Sequence, residues 1–149
     1  HTLVVDHGGA PAINRFAVEQ PAVDVLAHPT SEGEFDHVLA RAAADNGVRV
    51  ELSLRPLVTE SGGTRVRALE RLRRLAAILD QYDTPFVVSV DPHSHLDLRA
   101  PRDLAALAET VGLDGETVRD GLAEWGRLAE RNRERGSDRF LEPGVYREE

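Results

Sequence analysis

The sequence predicts an α/β protein built around a parallel sheet. Three observations predict it. Strand-like and helix-like segments alternate along the chain, the strand segments are continuous apolar runs, and Gly/Pro turn signals separate them. Four or five strands are expected, equivalent to half of an eight-stranded barrel or to one small open sheet. The 149 residues are long enough for one domain, and residues 1–149 are read as a single α/β domain.

The elements follow in order. Residues 2–6 form a first apolar run, ended by the turn signal His7-Gly8-Gly9. A short helix over 11–20 has Pro11 in its first turn and apolar Ile13, Phe16 and Ala17 at helical spacing. Residues 23–27 (VDVLA) are the second strand. After the loop from His28 to Gly33, a helix over 35–46 is expected to bury Val38, Leu39, Ala42 and Ala43. Gly47 ends it. Residues 48–54 (VRVELSL) are the third strand; Pro56 stops it and a loop with Ser61-Gly62-Gly63 follows. A helix over 64–81 places Leu69, Leu72, Leu75, Ala76 and Leu79 on one face. Residues 86–90 are the fourth strand. The loop from Asp91 to His95 leads to a helix over 101–111 and a last helix over 115–135, with Leu122, Trp125 and Leu128 on one side. Residues 140–145 suggest one more short strand.

Composition narrows the function. Net charge is −8, all 18 basic residues are arginine, and Cys and Met are absent. Disulfides, thiolate metal sites and Cys nucleophiles are therefore excluded. No apolar run approaches the ~20 residues of a membrane span, so no membrane role is expected and a cytoplasmic location is. The chain opens on a strand-like run without Met or a signal peptide, so upstream sequence is expected to be missing. An acidic, lysine-free chain suits a high-salt cytoplasm, where the Debye length falls to ~3 Å and self-repulsion costs little, and equally a GC-rich genome that writes Arg for Lys.

Charge is unevenly distributed. Residues 1–54 hold 8 acids and 3 arginines, and residues 103–149 hold 12 and 7, each net −5. Residues 55–102 hold 6 acids and 8 arginines, net +2. Arginine's planar fork suits phosphate. Arg55, Arg99 and Arg102 lie in loops or at element ends, open to a ligand. Arg71, Arg73 and Arg74 read as a solvated helix face. With 5% aromatics, base stacking has almost no platform, and any RNA contact should be to backbone and shape.

In parallel α/β folds functional groups gather where strands end. Those ends deliver Asp6, His7, His28, Ser53, Arg55, Ser89, Asp91, His93 and His95. One reading is a metal-dependent phosphoesterase using His28, His93 and His95, with His37 and Asp91 as further donors of the right chemistry for Zn or Mn. No carboxylate stands at a diagnostic metal spacing. Phosphate-loop, dinucleotide and Gly-x-Ser-x-Gly patterns are also absent from the sequence.

Three segments carry a more specific signal. Residues 23–58 run from VDVLAHP through HVLARAAADNG to VELSLRPL; a helix and strand then lead to Val87-Val88-Ser89; and residues 94–112 read SHLDLRAPRDLAALAETVG. With a terminal Pro143-Gly144-Val145, they resemble, in order and spacing, the protein component 3 family of archaeal ribonuclease P, and its haloarchaeal branch in composition. The resemblance implies a partial TIM-like barrel related to the polymerase-and-histidinol-phosphatase (PHP) superfamily. It implies a subunit without catalytic residues or a metal of its own, which supports removal of the 5′ leader from precursor tRNA by a catalytic RNA that requires Mg²⁺. The implied partners are ribonuclease P RNA, precursor tRNA, protein component 2 in a heterotetramer, and the other protein subunits. RNA or partner contact is carried over to Arg55, Arg99 and Arg102. The family is longer by several N-terminal strand–helix units, so a barrel with an open parallel edge is expected.

Overall fold

A computed structural model describes residues 3–137, 140–142 and 145–146. Strands β1 (Val5–His7), β2 (Val25–Ala27), β3 (Arg49–Ser53) and β4 (Phe86–Ser89) form one parallel sheet in the order β1-β2-β3-β4. Helices α1 (Pro11–Glu19) and α2 (His37–Asn46) link the first three strands; α3 (Arg55–Thr59) and α4 (Gly62–Gln81) link β3 to β4. A 3₁₀ turn (His95–Asp97), α5 (Pro101–Glu109) and α6 (Gly115–Arg135) follow. Two short antiparallel strands, β5 (Phe140–Glu142) and β6 (Val145–Tyr146), complete the described backbone. Thr2, Pro143 and Gly144 lie outside the described residues.

Strand order equal to chain order is barrel-type winding: each crossover returns the chain to the next strand on the same side. Side chains alternate across the sheet. Leu26, Val50, Leu52 and Val88 point into the main core beneath α1, α2 and α4. Val25 and Val87 belong to a second buried cluster on the other face, with Leu128 of α6.

Helix α6 passes from one face to the other around β4. Val118 lies in the main core and Leu128 in the second cluster. Between them Gly121 lies against Val88, where an added Cβ would come within 2.5 Å of a Val88 methyl. The Trp125 indole N–H donates to the Val88 carbonyl at 2.9 Å. That covers the strand edge that pairing with β3 leaves open. Further along, Glu124 accepts from the Arg49 guanidinium at 2.8 and 3.0 Å, and Arg131 donates to buried Asp24 at 2.5 Å. Burial pushes the Glu124 carboxyl up, but Arg127 and Arg49 together hold it below the usual carboxylate range. These ion pairs close the N-terminal end of the second face and leave the C-terminal end as a rim.

Three readings of the sequence change. Pro56 does not open a loop; it sits in the first turn of α3, where its missing N–H is unneeded. In α1, Ile13 and Phe16 are exposed while Asn14, Ala17 and Val18 are buried. The helix is turned by Asn14, whose side chain accepts from Gly9 N at 2.8 Å and donates to Pro29 O at 2.7 Å. Apolar periodicity cannot register a buried polar anchor. In α2 the exposed residue is Val38, and the inward face is Ala40 and Ala43 with Leu39 and Ala42 beside them. Asp36 caps that helix through the Val38 and Leu39 amides, and αL Gly47 ends it.

Candidate functional site at the C-terminal rim of the sheet

The loops at the strand ends are shaped by their backbones. Gly8 has no room for a side chain: an added Cβ would lie 2.3 Å from Asn14 and 2.4 Å from Leu26. Gly9 adopts φ +115, open in practice only to glycine. His28 and Asp91, just after β2 and β4, sit at positive φ of 50 and 44. Asp and His tolerate this region better than most residues, yet each is strained. Both strained residues point into one cluster.

Its centre is Glu51, 5% exposed in the middle of β3. It accepts from the His28 amide at 2.9 Å and from the Ser89 hydroxyl at 2.5 Å. The His28 ring bridges it to Asp91, with nitrogens 3.7 Å from Glu51 and 3.9 Å from Asp91, and lies tilted at 43° to the His7 ring with centroids 4.7 Å apart. His93 approaches Asp91 from the other side at 3.3 Å.

Arg55 binds the outer part of the rim together. Its guanidinium donates to the Asp91 carbonyl at 2.6 Å and to His93 Nδ1 at 2.9 Å, and lies 3.5 Å from Asp97. A guanidinium can only donate, so His93 Nδ1 is the acceptor and the ring proton sits on Nε2, facing Asp91. Asp97 also accepts from the His93 and Ser94 amides. The His93 amide, then the Ser94 amide and Arg55, hold its carboxyl below the usual range against the opposing effect of desolvation.

The arginines singled out from the sequence take different places. Arg55 is three-quarters buried and spends its donors inside the chain. Arg99 donates to the Leu96 and Leu98 carbonyls at 2.7 and 2.9 Å. Arg102 projects from the first turn of α5, 89% exposed and 3.5 Å from Asp103. Arg73 is not merely solvated: it donates twice to Thr110 O beyond the end of α5. Arg71 and Arg74 make no side-chain hydrogen bond or ion pair among the described residues. A hollow of about 310 Å³ between the rim and α4 is lined by His28, Thr30, Ser31, Ser53, Arg55 and Arg71, among others.

The metal reading meets a different geometry. His28 and His93 share Asp91, but His37 stacks beside Tyr82, 6.2 Å away, and exposed His95 opens the 3₁₀ turn. Among the described residues no group of three or more His, Cys, Asp or Glu is disposed to hold a metal. The Arg55 guanidinium on His93 would also repel a cation held there. Sequence reasoning missed Glu51 and Asp97. Glu51 was visible as a carboxylate inside a buried apolar run, and Asp97 as the fourth residue of the capping box opened by Ser94.

Sequential parallel strands, crossover helices α1, α2 and α4 over one face and a polar C-terminal rim define a barrel-type α/β protein, here as a partial TIM-like barrel. The chain belongs to the family described as RNase P subunit p30, whose model matches residues 1–137. It is 58% identical to "Ribonuclease P protein component 3" of Haloarcula marismortui, over 99% of this chain and 63% of that protein. It is 60% identical to the protein of the same description from Halorubrum lacusprofundi, over 98% of this chain and 61% of that one. A chain in a cryo-EM structure of archaeal ribonuclease P with mature tRNA superposes with a TM-score of 0.85 at 28% identity, covering 98% of this chain and 64% of that chain. The chain thus spans about three fifths of the length of the curated relatives it matches.

Proposed function

We propose that this chain acts as a protein subunit of ribonuclease P, supporting removal of the 5′ leader from precursor tRNA by the RNA component. The observation that carries this is the family match along nearly the whole chain, with haloarchaeal relatives described as protein component 3. The chemistry belongs to the RNA and its Mg²⁺; the chain contributes no catalytic residue and binds no metal. Its partners are the RNA, precursor tRNA, protein component 2 in a heterotetramer, and the remaining protein subunits, in the cytoplasm. Among the described residues no helix is long and apolar enough to cross a membrane, which fits a particle of that kind.

Within this reading the arginines divide. Arg102, exposed although paired with Asp103, and Arg71 and Arg74 on α4 are placed to reach the RNA backbone. Arg55 and Arg99 position the rim. The test is cleavage of precursor tRNA by the RNA with component 2, with and without this chain, at high salt and limiting Mg²⁺. Addition of the chain should lower the Mg²⁺ required for cleavage at the mature 5′ end; no effect from this chain or from the longer relative sinks the reading. Arg102→Ala should reduce the slope of log affinity for the RNA against log salt by about 0.7–0.9. An unchanged slope removes Arg102 from the contact.

A further inference from the structure

The segment from Asp91 to Arg99 is held more firmly than its burial explains. Residues 92–96 and 98–100 are all exposed, and Asp91 and Asp97 are only partly covered. Apolar burial therefore does little to fix the segment. Three side chains do so instead. Arg55 holds Asp91 and His93; Asp97 accepts from the His93 and Ser94 amides; Arg99 donates to the carbonyls of Leu96 and Leu98. Ser94 closes the capping box that starts the 3₁₀ turn.

What this scaffold presents is apolar. Leu96 is 72% exposed and Leu98 63%, the two highest values among the large hydrophobic residues described. Beside them, joined through Arg99, is a hollow of about 270 Å³ with Leu57, Val58, Leu104 and Leu107 in its lining and Arg65 and Arg99 at its sides. Its one acid, Asp103, is paired with Arg102. The surface combines two projecting leucines, a hollow of mixed polarity and unbalanced arginines; Leu57, Val58, Arg65, Leu96, Leu98 and Arg99 come from the net-positive residues 55–102, and Leu104 and Leu107 from the segment that follows.

We infer that Leu96, Leu98 and the adjoining hollow form a docking surface for an acidic, amphipathic segment of a partner protein. The occupant follows from complementarity. Exposed Leu96 and Leu98 call for apolar side chains, and Arg65 and Arg99 beside the hollow call for carboxylates. RNA supplies phosphates but no aliphatic side chains, and nothing here offers an aromatic face to a base. Rigidity fits the same purpose: ordering a loose loop on binding loses conformational entropy at every residue, and the hydrogen bonds of the free chain have already ordered this one.

The inference rests on the subunit reading, since its probes are the parts of that particle. The separately purified protein components and the RNA of ribonuclease P from Haloarcula marismortui would each be titrated against this chain at high salt, with sedimentation of the chain alone in parallel. The Leu96→Ser/Leu98→Ser double variant should weaken binding of one protein component at least about tenfold, and Arg65→Glu should weaken it as well. RNA affinity of the double variant and sedimentation of the chain should not change. Should the double variant lose its circular dichroism, Arg65→Glu on the exposed face of α4 decides alone. Unchanged protein affinity overturns the inference while leaving the subunit reading standing. Loss confined to RNA affinity, or to self-association, also overturns it, in favour of an RNA contact or a second copy. If the unaltered chain binds neither RNA nor any protein component, the subunit reading fails and the docking surface fails with it.

Discussion

Replacing Arg55 by alanine tests whether this residue positions the rim. The variant loses a hydrogen bond of 2.6 Å to the Asp91 carbonyl and one of 2.9 Å to His93 Nδ1. A net hydrogen bond contributes about 1 kcal/mol, so the segment from Asp91 to Arg99 should lose about 2 kcal/mol of local stability, or roughly thirtyfold in its opening equilibrium. The more distant pair with Asp97, beside water, is left out of that figure. Global stability should change far less, because residues 92–96 are all exposed. Amide hydrogen exchange separates the two levels. The amides of His93, Ser94, Leu96 and Leu98, each bonded within the segment, should exchange roughly thirtyfold faster. Those of Val50 and Leu54, bonded to β4 and its flanks, should not change. Arg102→Ala, which removes a comparable charge from an exposed site, is the control and should leave both sets alone. Equal protection of the segment in the Arg55 variant and the parent would refute the positioning role. Acceleration of the β3 amides to the same degree would show that Arg55 supports the sheet instead.

Two further outcomes follow from the geometry. Gly126 of α6 has open space where a Cβ would go, so Gly126→Ala should stabilise the chain by about 0.5–1 kcal/mol through helix propensity. Gly121→Ala, five residues earlier, meets Val88 at 2.5 Å and should lose about 1–2 kcal/mol net; urea unfolding at fixed high salt compares them, and equal stabilisation by both would mean that α6 does not pack on β4. Asp97 has its folded pKa lowered, so its contribution is complete above the unfolded value of about 3.9 and is lost as pH falls through the lower folded value. The His93 and Ser94 amide resonances should titrate below that value, and Asp97→Asn should abolish the titration; a midpoint at or above it contradicts the hydrogen bonds described.

The parallel sheet was legible because β2, β3 and β4 are buried on both faces and read as apolar runs, and because Gly47 and Pro101 punctuate their helices where the chain turns. Less legible was which side of a helix faces inward. In α1 the buried asparagine, bonded at both ends of its amide, turns inward with Ala17 and Val18, and Ile13 and Phe16 stay only partly covered. The path of α6 around β4 was also hidden: Gly121 reads as a weak helix residue until Val88 is placed against it. At the rim, the ends of strands correctly gathered His7, His28, Arg55, Asp91 and His93. The sequence could not say that Arg55 would face inward. A residue type names the bonds it can make; the fold decides whether they are made within the chain or left for a partner.

That division bears on how an acidic chain could serve an RNA particle. At molar salt, charge acts over ~3 Å, so the net −8 of the chain neither repels RNA at a distance nor needs offsetting by a basic surface. Counterion release also contributes little there. What remains effective is contact: forked arginine hydrogen bonds at fitted sites, and apolar burial, which salt does not weaken. The rim follows the same logic internally. Two of its arginines work at 2.6–2.9 Å, on carbonyls and a ring nitrogen, where screening cannot intervene. If the proposed docking surface operates in such a medium, the arginines that fix the loop leave Leu96 and Leu98 to provide contacts that salt does not weaken.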